Sequence, residues 1–249
     1  MEKINEELNL NSPLKHSYIS KDSGGYISRN PHILKSIDLN PLNISILNKA
    51  INGTSIYKIG EGGNKFLILA GIHGDELPPQ IAAVKILNEL IYRKLKNTVY
   101  IIPFAAPKSS MMNLRNFNDR DLNRSGHIYN SLSNLILQAI DKYKIDFVGD
   151  FHSTALGSNP GYEAVFSTEN PTFESILIAK YISEDVGSEF IAYSRAGGSY
   201  KGAIEDECNL KGIPAITAEV LCPFKKVESI AIERSYLQMK SFLSYFGVI

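Results

Sequence analysis

Cysteine is nearly missing from this chain. Cys208 and Cys222 are the only two in 249 residues, too few for a disulfide framework or a four-cysteine zinc site. Any bound metal must therefore be held by histidines and carboxylates. An excess of charge is missing as well: with 26 basic and 26 acidic residues, no global field draws the chain to nucleic acid or to an anionic lipid surface. Long apolar runs are absent too, since Phe66–Ala70 and Ile213–Thr217 fall far short of a membrane span, and the start MEKINEELNL has no apolar signal-peptide core. The expectation is a soluble, cytoplasmic protein with no nucleic-acid or membrane partner. With 44% hydrophobic and 21% charged residues, it can bury a sizeable core.

What is present alternates between strand and helix. Residues 1–53 are rich in Asn, Ser, Lys and Pro and read as an N-terminal extension packed on a single domain, 54–249, with one short amphipathic stretch at Ile33–Leu47. The sequons at Asn43 and Asn52 are expected to be ordinary turns. Thr54–Lys58 and Lys65–Ala70 read as strands around a Gly60–Gly63 hairpin turn, the second apolar throughout and hence central in its sheet. Pro78 and Pro79 suit the first turn of a helix whose apolar positions Ile81, Val84, Leu87, Leu90 and Ile91 recur at helical spacing. Further strands are expected at Thr98–Phe104, Ile145–Phe151 and Ile213–Thr217. Helices are expected behind the cap Ser131, over Thr172–Val186 with Gly187 as its stop, and along Ile232–Phe246. The pattern predicts an α/β fold, a three-layer α/β/α sandwich around a mixed, mostly parallel central sheet.

In such sheets ligands gather at the carboxyl ends of the strands. Three of those ends carry polar groups: Gly71-Ile72-His73-Gly74-Asp75-Glu76, Gly149-Asp150-Phe151-His152-Ser153, and Glu219 after the third apolar run. His73-x-x-Glu76 completed by His152 supplies two imidazoles and one carboxylate, a set that leaves zinc a fourth position for water. A core histidine and a helix-capping glutamate are the plain alternative for the first two. His16, His32 and His127 lie in polar segments and are expected to be solvated or locally bonded.

These blocks, together with Asp121-Leu122-Asn123-Arg124 and Gly212-Ile213-Pro214-Ala215-Ile216-Thr217-Ala218-Glu219, resemble in order the signature blocks of the zinc carboxypeptidase superfamily. The branch it is most similar to is that of succinylglutamate desuccinylase, aspartoacylase and the small murein peptide amidases, over about Thr54 to Glu219. The resemblance implies one Zn²⁺ per chain held by His73, Glu76 and His152, with Glu219 as general base and acid. It makes Asp121 the carboxylate orienting His73, as a metal-bound imidazole requires of some acceptor. Asp121 could instead cap a helix, and Asp150 is the rival. Asn123 and Arg124 match the pair that grips a substrate carboxylate. Arg115 falls near the oxyanion-stabilising arginine, with Arg120 competing. For a substrate-contacting tyrosine the candidates are Tyr200 and Tyr193.

The resemblance thus implies a zinc hydrolase that cleaves an amide bond beside a free carboxylate in a small peptide or N-acyl amino acid. A zinc-containing pseudoenzyme or peptide-binding module without turnover is the alternative, which the retained Glu219 disfavours. Two departures stand out. Ser125-Gly126 replaces the usual aromatic and proline, and the chain after Glu219 holds a final helix but not the C-terminal β domain of aspartoacylase-like enzymes. Competing motifs fail: around Ser199 a nucleophile elbow would need glycine at Lys201, and Gly60–Gly63 lacks the helix and lysine of a phosphate loop. Cys208 and Cys222 read as packing residues.

Overall fold

A computed structural model describes residues 14–223 and 227–249. In chain order the elements are strand β1 (Leu14–Ser20), helices α1 (Pro31–Ser36) and α2 (Pro41–Ala50), strands β2 (Thr54–Ile59) and β3 (Lys65–Ala70), and helix α3 (Leu77–Leu90). Next come β4 (Thr98–Ile102), α4 (Pro107–Met112), α5 (Leu132–Tyr143), β5 (Phe147–Thr154), β6 (Ala164–Asn170), α6 (Glu174–Val186), β7 (Glu189–Arg195), α7 (Ile204–Leu210), β8 (Ala215–Leu221) and α8 (Ser229–Tyr245). The strands form one eight-stranded sheet in the order β1-β2-β4-β3-β5-β8-β6-β7. Its centre, β4-β3-β5-β8, is parallel, and antiparallel joins attach β2 to β4 and β6 to β8.

Helices cover both faces, as the apolar strands demand. Along β3, Phe66, Ile68 and Ala70 belong to a core shared with α1, α2, α3, α6 and α8, whereas Leu67 and Leu69 belong to a second core under α5 and α7. The three-layer sandwich expected from the sequence is therefore the fold found. Ser131 caps α5 by accepting from the Asn134 N–H, and Gly187 ends α6 in the left-handed conformation. No helix among the described residues is long and apolar enough to cross a membrane.

Several expectations change. The glycine-rich turn is no hairpin, because β4 lies between β2 and β3, antiparallel to one and parallel to the other. Thr98 opens β4 beneath the turn, donating its N–H to Asn64 O and its hydroxyl to Gly62 O. Gly60, at φ +76°, approaches Asn97 O so closely that a Cβ would sit 2.4 Å from it. The stretch Ile33–Leu47 is two helices, each started by an Asn-Pro pair: Asn30 accepts from the N–H groups of His32 and Ile33, and Asn40 from that of Asn43. The sequon at Asn43 therefore lies within a helix and not a turn. Its side chain is buried and donates to Asp38 O. The segment before Thr54 also supplies a sheet edge, β1, which its mixed composition concealed. Finally, β5 and β8 run on to Thr154 and Leu221, so His152 and Glu219 lie inside strands and pair with each other in register.

Candidate metal centre

The site stands where β3 ends beside β5 and β8, which run on past it. Beyond β3, the loop carrying His73 is pinned by Gln80 of α3, whose amide donates to the carbonyls of His73, Gly74 and Glu76. Glu76 occupies the N-cap position of α3 without capping it. The reason is local: an N-cap side chain accepts from the second or third helical N–H, and those positions are Pro78 and Pro79, which have none. This rules out the helix-capping alternative and turns the carboxylate toward the histidines.

His73 Nδ1 donates to Glu76 Oε1 and His152 Nδ1 to Glu76 Oε2, both at 2.8 Å. Glu76 also accepts from the Ser153 N–H at 3.1 Å and from Arg115 Nη1 at 3.0 Å. One candidate ligand atom from each of His73, Glu76 and His152 can be chosen so that all lie within 4.8 Å of one another. On the far side of each ring stands a second carboxylate. His73 Nε2 donates to Asp121 Oδ1 at 2.9 Å, and His152 Nε2 lies 3.1 Å from Asp150 Oδ2 in an ion pair too bent to be a hydrogen bond. Asp121 and Asp150 thus stand against different histidines. Asp121 also caps: its Oδ1 accepts from the Asn123 N–H and starts the 3-10 turn Leu122–Arg124.

The charges reinforce one another. Burial alone would raise the Glu76 carboxyl, but the two imidazolium rings hold it well below the usual carboxylate range. Burial opposes charging of the imidazoles, yet Glu76 and Asp121 raise His73, and Asp150 and Glu76 raise His152 further. The donor set fits a divalent metal that replaces the two Nδ1 protons: two imidazole nitrogens and one carboxylate, with an acceptor carboxylate behind each ring. Glu219 faces this centre from β8. Its Oε2 is buried without a hydrogen-bond partner, and burial together with the Glu76 charge pushes its carboxyl up to about 8.

Of these residues, His73, Glu76 and Glu219 line a cavity of about 400 Å³ together with Arg115, Asn123, Arg124 and Tyr200. Arg115 is anchored by Glu76 and lies 3.6 Å from Asp121 Oδ2, whereas Arg120 is exposed, pairs only its backbone with Phe117, and does not line the cavity. Arg124 lies exposed over the Tyr200 ring at 5.0 Å. Tyr200 in turn stacks on Phe166, its hydroxyl accepts from Asn159 and is hydrogen-bonded to that of Tyr193, and Tyr193 stands behind it and off the cavity wall. At the unusual Ser125-Gly126 pair, the Gly126 N–H donates to Gly202 O, tying the Asn123-Arg124 turn to the loop bearing Tyr200. Ser199 is exposed and does not line the cavity; Cys208 and Cys222 are both buried, and Cys222 lines the cavity.

Sequence reasoning missed other residues that line the cavity, among them Thr154, Phe166 and above all Glu205, a buried carboxyl. Glu205 and Asn209 are four residues apart on α7, beside the apolar pair Ile204 and Cys208, and that spacing is the signal that was available.

The catalytic-domain profile of the succinylglutamate desuccinylase/aspartoacylase group matches residues 62–220. No curated protein matches the sequence. Among solved structures, a succinylglutamate desuccinylase/aspartoacylase from Rhodobacter sphaeroides is similar at 18% identity and TM-score 0.61, over 79% of this chain and 59% of that one. A candidate metallopeptidase from Shewanella denitrificans is similar at 16% and 0.67, over 100% of this chain and 89% of that one. A metallo-carboxypeptidase from Burkholderia cenocepacia is similar at 15% and 0.56, over 78% and 60%. These identities speak for the fold alone, and the chain spans about three fifths of the first and third of these proteins.

Proposed function

The chain belongs to the succinylglutamate desuccinylase/aspartoacylase family of hydrolases, and from that premise we propose that it is a zinc-dependent hydrolase cleaving an amide bond beside a free carboxylate. The substrate is a small peptide, cut at its C-terminal bond, or an N-acyl amino acid. The observation that carries this reading is the Glu76 carboxylate set between two Nδ1 atoms, with Glu219 paired in register to His152. His73, Glu76 and His152 would hold one zinc, which when bound acidifies a water and polarises a carbonyl.

Glu219 takes the proton of the attacking water and delivers it to the leaving amine. A carboxyl raised toward neutrality by burial suits both halves of that task. Arg115, anchored on Glu76, keeps its exposed guanidinium edge for the oxyanion that develops on the scissile carbonyl. Asn123 and Arg124 bind the substrate carboxylate and fix which bond reaches Glu219; Tyr200 supports Arg124 from beneath. Asp121 and Asp150 hold the two imidazoles in orientation.

The test joins metal content to turnover. The purified protein should carry about one zinc per chain, and it should hydrolyse members of a panel of peptides, cell-wall peptides and N-acyl amino acids. Zinc-loaded protein that cleaves none of them would leave a binding module instead.

A further inference from the structure

The cavity has a floor that the proposed chemistry does not use. Glu205 is 1% exposed and lines the same cavity as Glu219, Arg124 and Tyr200. Its Oε1 accepts from Ser167 Oγ at 3.0 Å and from Asn209 Nδ2. Asp206, the next residue on α7, is equally buried. Asp206 Oδ2 receives no hydrogen bond from any N–H or O–H donor. Among the described residues, neither carboxyl stands in an ion pair.

Two neighbouring buried carboxyls cannot both ionise at low cost, so together they carry about one negative charge. Burial and the Asp206 charge accordingly push the Glu205 carboxyl up to about 8. Arg124 is the cation whose field reaches Asp206, but it lies exposed over Tyr200 at the cavity mouth. Above the floor, Phe166 and Tyr200 stack at 5.7 Å and, with Ala203, form an apolar wall able to sheath a chain of methylenes. An acid-floored cavity with an apolar wall and arginines at its mouth complements a ligand that has a carboxylate at one end and a cation at the other.

We propose that Glu205, backed by Asp206, forms a subsite for an amino or guanidinium group at the end of the side chain of the amino acid released. The enzyme then prefers substrates whose free-carboxylate residue is basic. The inference rests on the function proposed above only for orientation, the carboxylate lying at Asn123 and Arg124. An acidic side chain would meet the negative charge of the pair, and a purely apolar one would leave the carboxyl without a partner.

The test is equilibrium binding of L-lysine, L-norleucine and L-glutamate to the zinc-loaded full chain and to its Glu205→Gln variant, measured by calorimetry. The substituted amide can still accept from Ser167 and Asn209, so a merely structural role predicts an unchanged profile. The wild type should prefer lysine over norleucine by about tenfold or more, the scale of a hydrogen bond to a charged group. It should bind glutamate most weakly, and Glu205→Gln should erase the lysine preference while its thermal midpoint stays near that of the wild type. Equal binding of lysine and norleucine, a preference that survives Glu205→Gln, or binding of none of the three overturns the proposal. If the preference is present but no N-acyl-lysine or lysyl peptide is hydrolysed, the subsite stands and the proposed reaction fails. Hydrolysis without any preference for lysine means the opposite: the reaction stands and the subsite fails.

Discussion

Two groups of buried carboxylates share one cavity and are compensated in opposite ways. Glu76 is met by two imidazoles, a guanidinium and a backbone N–H, so it is held ionised. Glu205 is met by a hydroxyl, an amide and another carboxyl, so it is held protonated. Burial is severe for both, and it is the partners that set opposite charge states. The first arrangement suits exchanging protons for a metal ion, the second receiving a cation from outside.

The comparison breaks most sharply at His152. His152→Ala removes one ligand and leaves Asp150, 0% exposed, without its ion-pair partner. Zinc should fall well below one per chain, and turnover should fall to background. Stoichiometric zinc by elemental analysis of this variant would remove the metal assignment.

Glu219 lies between the two groups, raised by burial like Glu205 yet facing the centre built on Glu76. Glu219→Gln keeps shape and removes the base, so kcat should drop by about 10²–10⁴-fold with zinc content unchanged. Near-normal steady-state turnover would move the proton transfer to another residue.

A smaller effect is expected at the mouth. Arg124 is exposed, so its bond to the substrate carboxylate should be worth only about 1.5–3 kcal/mol. Amidating that carboxylate should lower kcat/KM correspondingly, and Arg124→Ala should narrow the gap between free acid and amide. Equal cleavage of both by the wild type would refute an exo-acting substrate class.

A further effect is on stability, and its sign follows from the raised carboxyl. Glu205 takes up a proton at about 8 in the fold against 4.5 ordinarily, so the folded state holds more protons between those values and loses stability as pH rises through them. Glu205→Gln removes that dependence. The difference between the two melting temperatures should therefore move in favour of the variant as pH is raised from about 5 to about 8. A wild type that gains on the variant with rising pH would mean that Glu205 is ionised in the fold.

How much of this was legible varied with the kind of signal. The parallel centre could be read because Phe66–Ala70 is apolar on both faces, and its end residues His73, His152 and Glu219 follow from strand-end logic. The insertion of β4 between β2 and β3 could not, since a glycine-rich turn suits a hairpin as well as a wider crossing. β1 and β7 escaped notice because edge strands carry mixed sequence; β7 is mostly exposed along its length. Glu205 escaped because Ser167, which bonds it, is brought from elsewhere in the chain by the fold; Asn209, one turn along the same helix, is the only local signal of the two.

The paired prolines at the start of α3 have a consequence beyond starting a helix. A glutamate at an N-cap ordinarily faces competition between its own backbone and any outside partner, and a bound metal would have to win that competition each time. Pro78 and Pro79 delete the internal competitor from the covalent structure, while the helix's positive end still favours a negative charge at that position. The affinity of the centre is thereby partly written into two residues that never touch it. Restoring an N–H at Pro79 would give Glu76 somewhere else to go without altering one ligand.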